Sequence, residues 1–138
     1  MRTMELWGVS DVGAVRKQNQ DAYYVSPADA RYPFAVVCDG MGGARAGNVA
    51  SSMAVESFAA TVGEGLNGEK PDVESLLRRA VEQANELVCY RAAMDESCRG
   101  MGTTLVAAVV GPERVYLVNV GDSRAYMVSH QGIRQLTR

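Results

Sequence analysis

Apolar and polar positions divide the chain into a front part of short strands, a middle part of two helices and a back part of strands. In the front part, residues 6–9 and 23–25 are short apolar runs on either side of a polar stretch. Residues 34–38 form a continuous apolar run. Runs of this length predict β-strands. An aspartate and glycines at positions 39–43 follow at once, and they predict that the third strand ends there in a turn.

The middle of the chain shows two helical patterns. Between residues 48 and 62, apolar residues recur at helical intervals with alanines between them, and glycines at 63 and 65 predict the end of the helix. The second helix is predicted to begin after Asp72, which is placed to cap its first turn. Its apolar positions form one stripe. The stripe consists of Val73, Leu76, Leu77, Ala80, Val81, Ala84, Leu87 and Val88.

Beyond Gly100 the pattern returns to strands. Residues 103–110, 114–120, 125–128 and 133–137 are rich in strand-forming residues, and the short polar segments between them are typical of hairpin turns. Strands followed by two consecutive helices and then by hairpins are an α+β order, because alternating βαβ units would place a helix between successive strands. We therefore predict a single α+β domain with an antiparallel meander at its back.

Composition and charge exclude several classes of protein. The chain has 138 residues, of which 47% are hydrophobic and 22% are charged, as in an ordinary globular domain. Its net charge of −2 lacks the basic excess that a nucleic-acid partner would need. No apolar run has the length of a signal peptide or a membrane span, which favours a cytoplasmic protein with no membrane partner.

Cysteine and histidine chemistry is not expected. Cys38, Cys89 and Cys98 form neither an even set nor a CxxC pair, which disfavours a disulfide framework or structural zinc, and each is expected to be a partly buried apolar residue. None is followed six positions later by arginine, so the loop of a thiolate phosphatase is absent. The single histidine, His130, falls in a predicted turn and is expected to be solvated.

Three aspartates lie in segments where chemistry is plausible. Asp39 follows a buried strand and precedes glycines that leave backbone carbonyls accessible, which suits a hard cation such as Mg²⁺ or Mn²⁺. A plain tight turn explains Asp39 equally well. Asp21 lies near Arg16 before a strand, and Asp122 lies with Arg124 between two strands. Each alone is an ordinary surface segment, and spacing does not show that the three aspartates meet.

Taken together and in this order, the segments resemble the motifs of the metal-dependent protein serine/threonine phosphatases of the 2C family, especially its bacterial members. Residues 13–21, GAVRKQNQD, are similar to the GxVRxxNxD opening of that family. Residues 39–51 are similar to its DGMGGxxxGxxAS element, residues 102–104 to its GTT strand, and residues 119–124 to its (N/H)xGDSR turn. Four ordered motifs are far more specific than any one of them.

The resemblance implies a fold, cofactors and residue roles. The fold would be an antiparallel β-sandwich flanked by helices, with a binuclear Mn²⁺ or Mg²⁺ centre at one edge. By position, Asp39 would bridge the two ions, the carbonyl of Gly40 would bind one of them, and Asp21 would hold waters of the centre. Asp122 would bind a third, weaker ion. Arg16 would grip the substrate phosphate, a role that suits its planar fork of donors.

The implied activity is hydrolysis of phosphoserine and phosphothreonine by a metal-activated water, without a phosphoenzyme. The implied partners are phosphorylated proteins, the substrates of a bacterial-type serine/threonine kinase in signal transduction. Met41 stands where some relatives carry a histidine that is proposed to protonate the leaving group, and methionine has no proton to donate. Gln20 replaces the glutamate of many members.

The later motifs of the family, each with a metal-binding aspartate, are not found in this chain. We therefore expect residues 1–138 to be the N-terminal part of a single catalytic domain, with an incomplete metal shell. A non-catalytic, truncated phosphatase-like module that binds metal or a phosphoprotein remains the alternative. Missing strands would leave sheet edges and apolar area exposed, so self-association through residues 103–137 is also expected.

Overall fold

The computed structural model describes residues 4–43 and 46–138, which form seven strands, two α-helices and one 3₁₀ helix. In chain order these are β1 (Asp21–Val25), β2 (Phe34–Met41), α1 (Ala46–Gly65), α2 (Val73–Met94), the 3₁₀ helix (Glu96–Cys98), β3 (Gly102–Thr103), β4 (Leu105–Val110), β5 (Val115–Val120), β6 (Tyr126–Ser129) and β7 (Gly132–Gln135). Antiparallel strands combined with two consecutive helices confirm the predicted α+β class.

Five strands form one antiparallel sheet, in the order β1-β2-β4-β5, with β3 also paired to β2. Phe34 lies opposite Val109 and Val36 lies opposite Ala107, and all four side chains are buried on one face. Successive residues of a strand point to opposite faces. Val37 accordingly lies on the other face and is partly exposed. We call this second face the open face of the sheet.

The two helices cover the buried face. α1 packs against β1 and β2, and α2 packs mainly against α1. The side chain of Asp72 caps α2 as predicted, since its Oδ1 accepts a hydrogen bond from the backbone N–H of Ser75 at 3.2 Å. Leu87 belongs to the predicted apolar stripe of α2, but it is 47% exposed. The helical period identifies a face, but it does not show how far neighbouring elements cover that face.

The predicted strand at residues 6–9 is wrong. Residues 4–20 form neither strand nor helix. Trp7 in this segment is 82% exposed, so its apolar side chain has no core to face. The segment instead lies beside β1, where the hydroxyl of Tyr23 donates a hydrogen bond to the carbonyl of Gly8 at 3.2 Å. An apolar run therefore did not suffice to form a strand here.

Strand β2 extends further than the sequence predicts. It continues beyond residue 38 because Gly40 pairs with Thr103 and Met41 pairs with Gly102. Asp39 thus lies within a strand and not in a turn. The strand predicted at residues 103–110 divides into β3 and β4 at Thr104.

The predicted meander is interrupted after β5. β4 pairs with β5 and β6 pairs with β7, both antiparallel as predicted. Within the described residues, however, β6 and β7 form a separate two-stranded sheet. Every residue of β6 and β7 is exposed. The turn at 121–125 therefore links two sheets and is not a hairpin within one.

Candidate functional site

Two aspartates stand side by side on the open face of the sheet. In the pairing of β1 with β2, Asp21 is the direct partner of Asp39. Directly opposed residues of antiparallel strands have Cβ atoms about 5 Å apart on the same face. The side chain of Asn19 helps to fix this pair, since its Oδ1 accepts a hydrogen bond from the backbone N–H of Asp21 at 3.0 Å. Strand register therefore brings these two carboxylates together. Their spacing in the sequence did not show that they are close.

The pKa of the Asp39 carboxyl is raised above its ordinary value of 3.8. Burial is the largest cause, and the hydrogen bond and negative charge of Asp21 come next. The charge of Arg16 lowers this pKa, whereas that of Asp122 raises it. Burial and the neighbouring negative charges therefore disfavour the ionised form of Asp39, and a bound cation would offset that effect.

Two cavities share Arg16 and Asp39 as lining residues. The larger, of about 590 Å³, is also lined by Gly40 and Asp122. The smaller, of about 290 Å³, is also lined by Asp21. Because they share these residues, the cavities adjoin. The structure thus places all five site residues that the sequence indicated in one region.

Two glycines allow α1 to begin directly against the end of β2. A Cβ atom on Gly40 would lie 1.9 Å from the carbonyl oxygen of Gly47, closer than any such contact allows. A Cβ atom on Gly47 would lie 2.6 Å from the side chain of Gln20. That side chain donates a hydrogen bond to the carbonyl of Gly42 at 3.3 Å. Close packing of backbone therefore requires glycine at position 40, whereas a methyl group at position 47 would displace the side chain of Gln20.

Thr104 and Ser123 lie beside Asp39 and Asp122, although neither was predicted to have a role. Thr104 is buried, and its hydroxyl accepts a hydrogen bond from the backbone N–H of Asp39 at 3.0 Å. The same hydroxyl lies 2.5 Å from the hydroxyl of Ser123, which neighbours Asp122 in the chain. The available signal in the sequence was that Thr104 lies in the GTT strand motif and Ser123 lies in the GDSR turn motif.

The cysteines and the histidine offer no competing site. All three thiols are free, with Cys38 and Cys98 buried. Cys89 is exposed, so the expectation of burial was wrong for that residue. Burial raises the pKa of Cys38 from 9.0 to about 12, which disfavours a thiolate nucleophile. His130 is exposed in the turn between β6 and β7, as expected.

The donors present fit a hard divalent cation in kind. Asp21, Asp39 and Asp122 offer carboxylate oxygens and Gly40 a backbone carbonyl, and oxygen ligands are those that Mg²⁺ and Mn²⁺ prefer. In the described part of the chain, however, no group of three or more His, Cys, Asp or Glu side chains lies close enough to hold a metal ion.

None of the helices described here is long and apolar enough to cross a membrane.

Comparisons with known proteins identify sequences similar to nearly the whole chain. The family described as protein phosphatase 2C matches residues 14–137. The serine/threonine phosphatase stp of Listeria welshimeri is 39% identical over 131 residues, which cover 93% of this chain and 51% of that protein. The chain thus spans about half the length of the curated Listeria relatives it matches.

Solved structures show the same fold. The serine/threonine phosphatase of S. agalactiae has a TM-score of 0.82 at 31% identity, over 94% of this chain and 53% of that one. The catalytic domain of the serine/threonine protein phosphatase PstP, solved in complex with two manganese ions, has a TM-score of 0.79 at 35% identity. That match covers 94% of this chain and 53% of the other.

Proposed function

The chain belongs to the protein phosphatase 2C family, and on that premise we propose that it forms the N-terminal part of a single catalytic domain, a hydrolase acting on phosphoserine and phosphothreonine in proteins. The observation that carries the proposal is the placement of Asp21, Asp39 and Arg16 around adjoining cavities. Paired carboxylates bind divalent cations, and a guanidinium binds phosphate. A metal-dependent phosphatase needs both in one place.

The cations would be Mn²⁺ or Mg²⁺, in a binuclear centre with a weaker third ion. Asp39 would be the shared ligand, with Asp21 beside it and the Gly40 carbonyl completing this side of the centre. Asp122 would serve the third ion from the turn after β5. When bound, such ions lower the pKa of a water to near neutral and polarise the phosphoryl oxygens.

The side chains of this chain bind and orient the substrate. Arg16 is exposed and lines both cavities, so it can present its fork of N–H donors to a phosphate beside Asp39. Met41 also lines the larger cavity, but it cannot protonate a leaving group. That proton must come from water or another residue. Gln20 keeps a hydrogen-bonding group beside the aspartates without adding negative charge.

A non-catalytic module that binds metal or a phosphoprotein is the second candidate. It is favoured by the absence, among residues 4–43 and 46–138, of a cluster of three or more potential metal-binding side chains. Two octahedral ions need about six ligands each. We propose that sequence corresponding to the other half of the relatives supplies the remaining ligands. The substrates would then be cytoplasmic proteins phosphorylated by a bacterial-type serine/threonine kinase.

Calorimetric titration with Mn²⁺ tests the metal assignment on this chain. We expect the wild type to bind Mn²⁺ weakly and Asp39→Asn to lose at least about tenfold in affinity, because the amide keeps the shape but loses the charge. Asp29→Asn, a change at an exposed aspartate between β1 and β2, is the matched control and should bind as the wild type does. Equal affinity of all three proteins would refute the assignment.

Catalysis is tested in a chimera in which this chain replaces the matching half of a curated relative. The chimera is expected to hydrolyse phosphopeptides with Mn²⁺, and Asp39→Ala to abolish that activity at every Mn²⁺ concentration. The chain alone should show little or no turnover of p-nitrophenyl phosphate. A folded chimera that binds Mn²⁺ without turnover would support the non-catalytic alternative. Full turnover by the chain alone would show that no further ligands are needed.

A further inference from the structure

Thr104 occupies an unusual place in the sheet, opposite Asp39 and between β3 and β4. Its backbone N–H donates to the carbonyl of Asp39 at 2.9 Å. In a regular antiparallel pair the N–H of Asp39 would donate to the carbonyl of Thr104 in return. Here the Thr104 hydroxyl accepts that hydrogen bond, at 3.0 Å. The Thr104 carbonyl instead accepts from the hydroxyl of Thr103 at 2.9 Å.

The same hydroxyl reaches the turn that carries Asp122. Thr104 Oγ1 and Ser123 Oγ lie 2.5 Å apart, and a hydroxyl can accept the Asp39 N–H while also bonding a second hydroxyl. The methyl group of Thr104 packs against Gly121 on that turn. A Cβ atom at Gly121, where φ is +97°, would lie 2.9 Å from Thr104 Cγ2. Thr104 is only 3% exposed, so its position allows little movement.

We propose that Thr104 and Ser123 are positioning residues whose paired hydroxyls hold the turn carrying Asp122 at a set position relative to Asp39. We call this pair the hydroxyl clamp. The role of the clamp in cation binding rests on the proposed function, in which Asp39 and Asp122 bind ions of the same metal centre. The clamp itself is a property of the metal-free chain and is tested there.

Three variants distinguish the hydrogen bond from Asp39 to Thr104 from the hydrogen bond between Thr104 and Ser123. Thr104→Val has the same shape and loses both hydroxyl contacts, whereas Thr104→Ser keeps the hydroxyl and loses only the methyl group. Ser123→Ala cuts only the link to the turn and lies at a partly exposed position, so it is expected to fold even if Thr104→Val does not. Ser52→Ala, which removes an exposed hydroxyl in α1, is the control.

NMR on the intact metal-free chain gives the first readout. Thr104→Val should speed hydrogen exchange at the Asp39 amide about tenfold, as loss of a buried hydrogen bond does, and Thr104→Ser should not. Ser123→Ala should leave that amide protected. It should lower the backbone order parameters of residues 121–124 from the rigid value of about 0.85 towards the flexible range below about 0.6. Unchanged order parameters in Ser123→Ala would overturn the clamp.

Paramagnetic broadening by Mn²⁺ separates this inference from the proposed function. In the wild type, Mn²⁺ should broaden the resonances of Asp39 and Asp122 over the same concentration range. In Ser123→Ala, the turn should require about tenfold more Mn²⁺ while Asp39 responds as before, since only the turn has lost its hydrogen bond. Equal broadening in the two proteins would overturn the clamp. If Mn²⁺ broadens neither residue in the wild type, the metal assignment fails, and exchange and order parameters alone decide the clamp.

Discussion

Arg16 lies where the two cavities of the site meet, and its side chain has two separable effects. Its charge lowers the pKa of the Asp39 carboxyl, against the effects of burial and Asp21. Its exposed guanidinium is also available to a phosphate ligand. Loss of the side chain therefore removes an electrostatic partner of Asp39 together with the proposed binding group for the substrate phosphate.

In the chimera, we expect Arg16→Ala to raise KM for a phosphopeptide by about ten- to a hundredfold, with a smaller change in kcat, because it removes charge-assisted hydrogen bonds to the ground-state phosphate. Arg16→Lys should give an intermediate KM, since lysine is a point charge without the planar fork. Arg78→Ala removes an exposed arginine on α2 that lines neither cavity, and it serves as the control. An unchanged KM in Arg16→Ala would show that the phosphate role is wrong.

Cys38 precedes Asp39 in the chain, but its side chain lies on the buried face under the helices. Burial raises the pKa of this thiol to about 12, although a hydrogen bond with Thr103 opposes the shift. The folded state therefore holds the thiol proton more tightly than the unfolded state does. The corresponding contribution to stability is complete below pH 9.0 and is lost as the pH rises towards about 12.

This burial predicts selective alkylation. With iodoacetamide at mildly alkaline pH, Cys89 should be modified, while Cys38 and Cys98 should react more slowly by about a hundredfold or more, because they are reached only through opening of the fold. Mass spectrometry of the peptides measures the rates. All three should react together in urea. Fast alkylation of Cys38 without urea would mean that the β2–α1 packing opens readily.

The junction between β2 and α1 depends on close approach of backbone atoms. Gly40 lies against the carbonyl of Gly47, and the Gln20 side chain fills the space beside them. This packing sets where the backbone beside Asp39 runs, and hence where the Gly40 carbonyl lies in the site. The glycine-rich element therefore has a structural role in addition to any part in binding ions.

Two glycine substitutions should have opposite effects on stability. Gly40→Ala should lower the free energy of unfolding by about 3 kcal/mol, because the new methyl group meets backbone that cannot move aside. Gly63→Ala lies in α1 with open space around it, so it should raise the free energy of unfolding by about 0.5–1 kcal/mol. Urea denaturation measures both. Wild-type stability of Gly40→Ala would contradict the close approach of α1 to β2.

The whole molecule has apolar surface that the two helices do not cover. Val37 and Leu117 lie on the open face of the sheet and are partly exposed. The β6–β7 hairpin exposes Met127, Val128 and Ile133. Strands β1 and β5 form the two edges of the main sheet. Unpaired edges and contiguous apolar area both promote association between molecules.

We therefore expect the chain to self-associate at high micromolar concentration through residues 103–137, as the sequence also predicts. Leu117→Lys, at a position that is 37% exposed on the open face, should shift the sedimentation profile towards monomer. Tyr90→Lys, at a position that is 67% exposed on α2, is the matched control and should not. A wild-type monomer at these concentrations would refute the prediction, and dispersal by Tyr90→Lys alone would place the contact on α2.

The sequence by itself determined the elements whose signal is local. The apolar periods of α1 and α2 and the cap at Asp72 depend on residues three or four positions apart, so a single sequence reveals them. Most strands were also found, because alternation and turn residues are local signals. The ordered motifs identified the family, and they indicated the five candidate site residues, because their residue types recur in a fixed order along the chain.

Only the tertiary structure decided which distant residues meet. Asp21 faces Asp39 because of the β1–β2 register, and Thr104 bonds Asp39 across a separation of 65 residues. Strand register follows from long-range hydrogen bonding and from which face is buried, and neither is written in local spacing. The same reason explains why residues 6–9 form no strand and why β6 does not join β5. An apolar run becomes a strand of the sheet only where another strand and a core are present to receive it.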